Sequence, residues 1–244
     1  MSRYSLLFLN DFVQKMNTNF KPEFVVNLGD AINDASPEED IKNLNIVLSE
    51  MKKLSCPFYN LAGNHEQRCL KKEELQTILA LDYLYYSFDV GDNHFIALFS
   101  EDYEKVTPTI SPKQIEWLKQ DLAKTNKPTV VFIHHLLSDQ DLTGNIWFEG
   151  KPHRSLISNR EEVRVILEDS KKVVAVFCGH NHWNRMDIHN GIPYFTIQSL
   201  VENFKNAGIP SESYALVNLN KTDISVEVVG NDSVGYIHKN NKNI

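Results

Sequence analysis

Cysteine is scarce in this chain: Cys56, Cys69 and Cys178 are the three among 244 residues, an odd number without paired spacing. That excludes a disulfide-stapled scaffold and points to a reducing compartment, so a cytoplasmic protein is the expectation. Long apolar runs are also lacking. The cluster at residues 6–9 falls far short of the roughly 20 residues of a spanning helix, and no signal-peptide pattern is present, so no membrane role is expected. Basic charge is not in excess. The 25 Lys and Arg stand against 32 Asp and Glu, a net charge of −7, which excludes the basic face that nucleic-acid binders present. Repeats and low-complexity linkers are missing as well. The reading is one domain, residues 1–230, followed by a polar tail, 231–244, expected to fray.

What is there is an ordinary globular composition, 42% hydrophobic and 23% charged, sufficient for one sizeable core. Leu6, Leu9, Val13, Met16 and Phe20 recur at helical spacing, predicting a helix over 5–19 that Pro22 ends. Residues 24–28 read as a buried strand stopping at Gly29-Asp30. Ser36-Pro37-Glu38-Glu39 has the form of a capping box with proline at the first helical position, and opens a second helix. A strand at 58–61 stops at Gly63-Asn64-His65-Glu66. A helix near 72–81 is followed by a hairpin around Val90-Gly91-Asp92-Asn93. Ser111-Pro112-Lys113-Gln114 is another capping box, and Thr129–Ile133 a strand ending in His134-His135. The aperiodic stretch 136–157 has a length usually kept for lids and binding loops. Ser158-Asn159-Arg160-Glu161 starts one more helix, 173–177 is a strand ending in Gly179-His180-Asn181-His182, and four antiparallel strands close the chain. Helix and strand alternate through the first two thirds, which predicts a sheet built by crossovers.

The four strand endings carry the chemistry. Ligands of open α/β sheets sit outside the carboxyl ends of strands, so residues from Asp30 to His182 gather on one rim. Asp30 offers carboxylate oxygen, Asn64 amide oxygen, and His180 and His182 ring nitrogens that face one spot from an extended segment. Either member of His134-His135 adds another ring nitrogen. A mixed oxygen and nitrogen set of this kind suits divalent ions such as Mn, Fe or Zn. His94, His189 and His238 lie outside any such ending and are expected to be hydrogen-bonded only.

The ordered set Gly-Asp, Gly-Asn-His-Glu, His-His and Gly-His-Asn-His resembles the calcineurin-like metallophosphoesterase superfamily. The stretches 191–194 and 199–203 look like its cyclic-nucleotide phosphodiesterase and ADP-ribose/CDP-alcohol diphosphatase branch. The resemblance implies an α/β (α+β) sandwich of two packed mixed β-sheets flanked by helices, with a dinuclear metal centre. It implies a hydrolase of phosphate esters or phosphoanhydrides, acting on a small phosphorylated substrate, nucleotides among them, through a metal-activated water in line with phosphorus. By position, Asp30 would bridge two ions, Asn64, His134 and His180 would complete one, and His182 would serve the other. His65 would be the catalytic histidine that stabilises the transition state or protonates the leaving oxygen. Trp147, His153, Arg154 and Arg160 are candidates for touching a phosphate or a base.

Two departures stand out. Family members commonly orient the catalytic histidine with an acid three residues after the bridging aspartate; here that position is Asn33, which brings no charge. The family also opens on a strand ending in Asp-x-His, without counterpart here, since Asp11 lies in the first helix and is followed two positions on by Val13. About a strand and its loop, roughly 20 residues, is therefore expected to be absent relative to the family. The expected result is one well-ligated metal site, a second with only Asp30 and His182, and impaired activity. The alternative is a catalytically degenerate metal-binding module that binds a partner or ligand.

Overall fold

Runs of Val, Ile and Phe without polar interruption suit strands buried on both faces, and two of them form the centre of the fold. The computed structural model describes residues 5–102 and 107–239. In chain order its strands are β1 (Val25–Asn27), β2 (Phe58–Asn60), β3 (Tyr86–Val90), β4 (Asn93–Ala97), β5 (Thr129–Ile133), β6 (Val173–Cys178), β7 (Arg185–His189), β8 (Ile192–Thr196), β9 (Tyr214–Leu219), β10 (Asp223–Val229) and β11 (Val234–Lys239). The helices are α1 (Ser5–Lys15, running on into a π-helical turn at Met16–Phe20), α2 (Pro37–Met51), α3 (Asn64–Cys69), α4 (Lys72–Leu79), α5 (Pro112–Lys124) and α6 (Arg160–Asp169). None is long and apolar enough to cross a membrane among the described residues.

The main sheet has six strands in the order β3-β4-β5-β6-β8-β7. Its inner four are parallel, and an antiparallel strand closes each edge. Leu118 and Leu122 of α5 and Val163 and Leu167 of α6 bury against Ile96, Val131 and Val176 on one face. On the other face Phe95, Phe132, Phe177 and Phe195 form a row across four strands, with centroid steps of 6.2, 5.8 and 4.9 Å. Val226 and Val228 of β10, Val26 of β1 and Phe24 just before it pack onto that row. Two packed sheets flanked by helices result, as the resemblance implies. The second layer is divided: β1 and β2 form a parallel pair, and β9, β10 and β11 an antiparallel trio.

Two expectations need correction. The stretch after Gly230 does not fray at 234–239; β11 pairs with β10 from Asp223↔Lys239 to Val228↔Val234. Its side chains alternate between partly buried and exposed, and Val234 and Tyr236 join the inter-sheet core. A strand covered on one face only carries polar residues at every second place, which reads as tail. The second correction concerns caps. Ser36 caps α2 as expected, accepting from the Glu39 N–H at 3.3 Å. Ser111 makes no side-chain cap, and Gln114 instead clamps the end of β4, donating to Phe99 O at 2.7 Å and accepting from Phe99 N–H at 2.8 Å. Gln114 is fully buried, so Gln114→Ala leaves two backbone groups without partners. We expect a loss of about 2–4 kcal/mol in urea unfolding; a loss under about 0.5 kcal/mol would contradict the clamp.

Candidate metal centre

Two of the four rim strands, β1 and β6, end in a backbone turn that most residues avoid. Gly29 has φ +100°, and Asp30, His180 and His182 have φ of 55°, 60° and 53°. Non-glycine residues at positive φ cost free energy and persist where the surroundings over-determine them, which happens at functional sites. Here the surroundings are close. A Cβ on Gly29 would lie 2.7 Å from Gly63 N and 2.8 Å from His134 Nδ1, and one on Gly63 would run into the Asp30 carboxylate.

Glu66 holds the first two strand ends together. Its buried carboxylate accepts from Gly63 N–H at 2.8 Å, Asp30 N–H at 3.0 Å and Ala31 N–H at 2.6 Å. Burial, helped by the neighbouring Asp30 charge, pushes the Glu66 carboxyl up to about 6. Asp30 Oδ1 accepts from His65 N–H at 2.9 Å, which turns Oδ2 toward His134 Nε2 at 3.0 Å. Burial alone would raise the Asp30 carboxyl, yet the charge and hydrogen bond of His134 hold it well below the ordinary carboxylate range. Burial likewise opposes protonation of His134, and Asp30 outweighs it.

Four atoms converge there. The Asn64 amide atom facing the cluster stands 3.2 Å from Asp30 Oδ2, 2.9 Å from His180 Nδ1 and 3.2 Å from His134 Nε2. His134 Nε2 and His180 Nδ1 are 3.1 Å apart. Turned nitrogen inward, the amide would donate to Asp30 and His180. With oxygen inward it completes a set of acceptors that a cation, or a proton on His134, satisfies. The separations match the edges of a coordination tetrahedron whose centre lies about 2 Å from each donor, the bond length of zinc-like ions. Backbone carbonyls fix both rings: His134 Nδ1 donates to Leu28 O at 2.8 Å, and His180 Nε2 to Arg154 O at 2.9 Å. The nitrogen left on each ring points into the cluster, the usual arrangement of metal-binding imidazoles.

The other predicted residues fall around this nest. His182 lines the same cavity, its Nδ1 buried without a hydrogen-bond partner, and burial lowers it to about 4, leaving a neutral ring. His180 is driven well below the ordinary histidine value by burial and the neighbouring rings. His135, the alternative to His134, lies behind: its Nδ1 meets Ser100 Oγ at 2.7 Å, and Nε2 lies 3.7 Å from Asp102. Its ligand atom is near those of His134 and His180, but no hydrogen bond joins it to Asp30 or Asn64. His65 also lines the cavity.

The acid that Asn33 does not supply to His65 stands one residue further on. His65 Nδ1 pairs with the Asp34 carboxylate, and Arg68 donates to the other Asp34 oxygen at 3.1 Å. Ile32 is buried and anchors the turn, so Asn33 faces solvent while Asp34 reaches back to His65. Arg160 does not enter the site; it donates to Asp139 at 2.5 Å. Trp147, His153 and Arg154 do line the cavity, with Phe148 packed on the His180 ring at 4.5 Å. His94 lies far along the sheet between Asp89 and Asp121, at 2.6 and 2.9 Å, hydrogen-bonded as expected. Sequence reasoning missed Asp34 and the stapling role of Glu66; a buried acid two residues after Asn64 was the available signal for the latter.

Gly63→Ala forces a methyl group into Asp30, whereas Gly235→Ala adds one that meets nothing. We expect the first to destabilise the chain by about 1–3 kcal/mol and the second to change stability by less than 1 kcal/mol. Equal melting curves for the two variants would contradict the close approach of the strand ends.

The sequence model for the calcineurin-like phosphoesterase family matches residues 5–184. A probable glycerophosphodiester phosphodiesterase GpdQ of Arcobacter nitrofigilis is 27% identical over 189 residues, covering 70% of this chain and 62% of that protein. The chain thus spans less than two thirds of that relative. A manganese-dependent ADP-ribose/CDP-alcohol diphosphatase of Oryza sativa subsp. japonica is 24% identical over 251 residues, covering 82% of this chain and 75% of that protein. A solved dimetal phosphatase from Danio rerio superposes with a TM-score of 0.76 at 16% identity, covering 97% of this chain and 90% of that one, which establishes the fold. Strand endings, fold and family match agree: the chain belongs to the calcineurin-like phosphoesterase family.

Proposed function

We propose that the chain is a metal-dependent hydrolase of phosphate esters or phosphoanhydrides. The observation that carries this reading is the convergence of Asp30 Oδ2, His134 Nε2, His180 Nδ1 and the Asn64 amide on one point, with neighbouring separations of 2.9–3.2 Å. Those four residues would hold one divalent ion. Asp30 and His182 are the donors left for a second, so the residues described here make one strong site and one weak one. Mn, Fe and Zn all accept such donors. A divalent ion bound there supplies polarisation of the phosphoryl oxygens and a water acidic enough to be a nucleophile near neutrality.

The chain's own residues do the remaining work. His65 faces the cavity with Nδ1 committed to Asp34, so its other ring nitrogen carries the proton delivered to the leaving oxygen. Asp34 fixes the ring's orientation and is itself held by Arg68. Arg68 and Arg154 line the same cavity and would counter phosphate charge, and Trp147 offers an aromatic surface beside them. Together with the diesterase and diphosphatase relatives, these residues favour a phosphodiester or a diphosphate bearing a planar group, such as a nucleotide, over a simple phosphomonoester.

The test is hydrolysis of bis(p-nitrophenyl) phosphate by EDTA-stripped protein with and without Mn²⁺. Activity should appear only with the ion, and titration should find one tightly bound ion per chain. His180→Ala should lose both ion and activity. His65→Ala should keep the ion while kcat falls about 10²- to 10⁴-fold. Activity without metal, or two tightly held ions, would overturn this account. Tight binding of one ion without hydrolysis of any monoester, diester or diphosphate would make the chain a binding module.

A further inference from the structure

The stretch 136–157, whose length suggests a lid, is bonded to the last of the four strand endings at one residue after another. His180 Nε2 donates to Arg154 O at 2.9 Å. Asn181 receives two bonds: Asn145 Nδ2 donates to its backbone O at 2.8 Å, and Ser155 Oγ to its side-chain Oδ1 at 2.7 Å. Trp183 Nε1 donates to Gln140 Oε1 at 3.1 Å, and Gln140 Nε2 in turn to Thr196 Oγ1 at 2.6 Å. His182 has the Trp147 ring edge-on at 6.2 Å, and the backbone N–H of Trp147 donates to Asn145 Oδ1 at 3.0 Å.

Asn181 stands out within this set. His180 and His182 on either side of it line the cavity, while its own side chain turns to the loop. Asn145, Ser155 and Asn181 are all fully buried, so water does not replace a lost partner. Their bonds act where the backbone is strained. His180 and His182 sit at φ of 60° and 53°, a conformation that non-glycine residues keep only when held. The peptide plane before Asn181 is fixed by its N–H on Gly179 O at 2.7 Å, and the plane after it by the Asn145 amide on Asn181 O. The ψ of His180 and the φ of His182 adjoin those two planes, so fixing the planes helps to aim both rings.

We propose that Asn181 is a positioning residue of the metal site, and that Ser155 and Asn145 hold it in place. The inference rests on the metal-site reading and deepens it: affinity for the ion is set in part by three buried side chains outside the donor cluster. Partners one step removed from an ion fix the orientation of its ligands, and their loss is felt in metal affinity even when every ligand is retained. The stretch 136–157 thereby serves as a frame for the metal histidines. Arg154 belongs to the same frame, since its carbonyl orients the His180 ring and the residue lines the cavity where a phosphate would lie.

The test is calorimetric titration of Mn²⁺ into the full chain and into Ser155→Ala, Asn181→Ala and the double variant, which reads ion binding without hydrolysis. Each single variant should bind the ion about tenfold more weakly or worse. The double variant should match Asn181→Ala within about twofold, because both changes break the same bond. Asn145→Leu, similar in volume but without the amide, removes the other support and should weaken the ion as well. Leu122→Ala, in the core beneath α5, is the control: it should lower the melting temperature and leave Mn²⁺ affinity within about twofold of the parent chain. If Ser155→Ala or Asn181→Ala does not fold, the other decides alone against that control. Unchanged affinity in the Asn181 and Ser155 variants, losses that multiply in the double variant, or an equal loss in Leu122→Ala would overturn the proposal while leaving the metal site standing. A parent chain that binds no Mn²⁺ would overturn the metal-site reading, and this inference with it.

Discussion

The Glu66 carboxylate, accepting three backbone N–H groups from two different strand ends, is the contact on which the rest of the site depends. Without it, Gly63 and Asp30 have no common anchor, and the left-handed turn at Asp30 loses what holds it. With it, Asp30 is aimed at His134, and two further strand ends bring His134 and His180 to the same point. Burying this acid is costly enough to push its carboxyl up to about 6. Three backbone hydrogen bonds offset that cost, and a cation beside Asp30 would relieve more of it.

Around this centre the molecule separates into a rigid part and an open part. The six-stranded sheet, packed on both faces, sets the spacing of two of the four rim positions, those of His134 and His180. The layer facing it is divided, so the cavity that contains the candidate metal donors runs on between β1 and β9. Rim and gap are thus neighbours by construction.

Much of the site was legible in the sequence, because the donors follow directly on apolar runs that stop at Gly or His: Asp30, Asn64, His134, His180 and His182 all sit where such runs end. The chemistry of each is local, and the rule that places strand ends on one rim is topological. The residues that were not legible depend on geometry with no linear signal. Asp34 replaces Asn33 as the partner of His65 because Ile32 is pulled into the core, which a three-residue spacing rule cannot anticipate. The carbonyls of Leu28 and Arg154, which set the histidine tautomers, have no side-chain signature at all. Fold class was readable from the alternation of helix and strand, whereas β11 was not, since a strand with one wet face differs little from a polar tail.

The most direct measurement is anomalous diffraction from crystals of this chain soaked in Mn²⁺. The account predicts a strong peak about 2.0–2.2 Å from Asp30 Oδ2, His134 Nε2 and His180 Nδ1, with the Asn64 oxygen turned toward it and His135 left on Ser100. A peak on His135, or an Asn64 amide with its nitrogen inward and no ion in the nest, would contradict it.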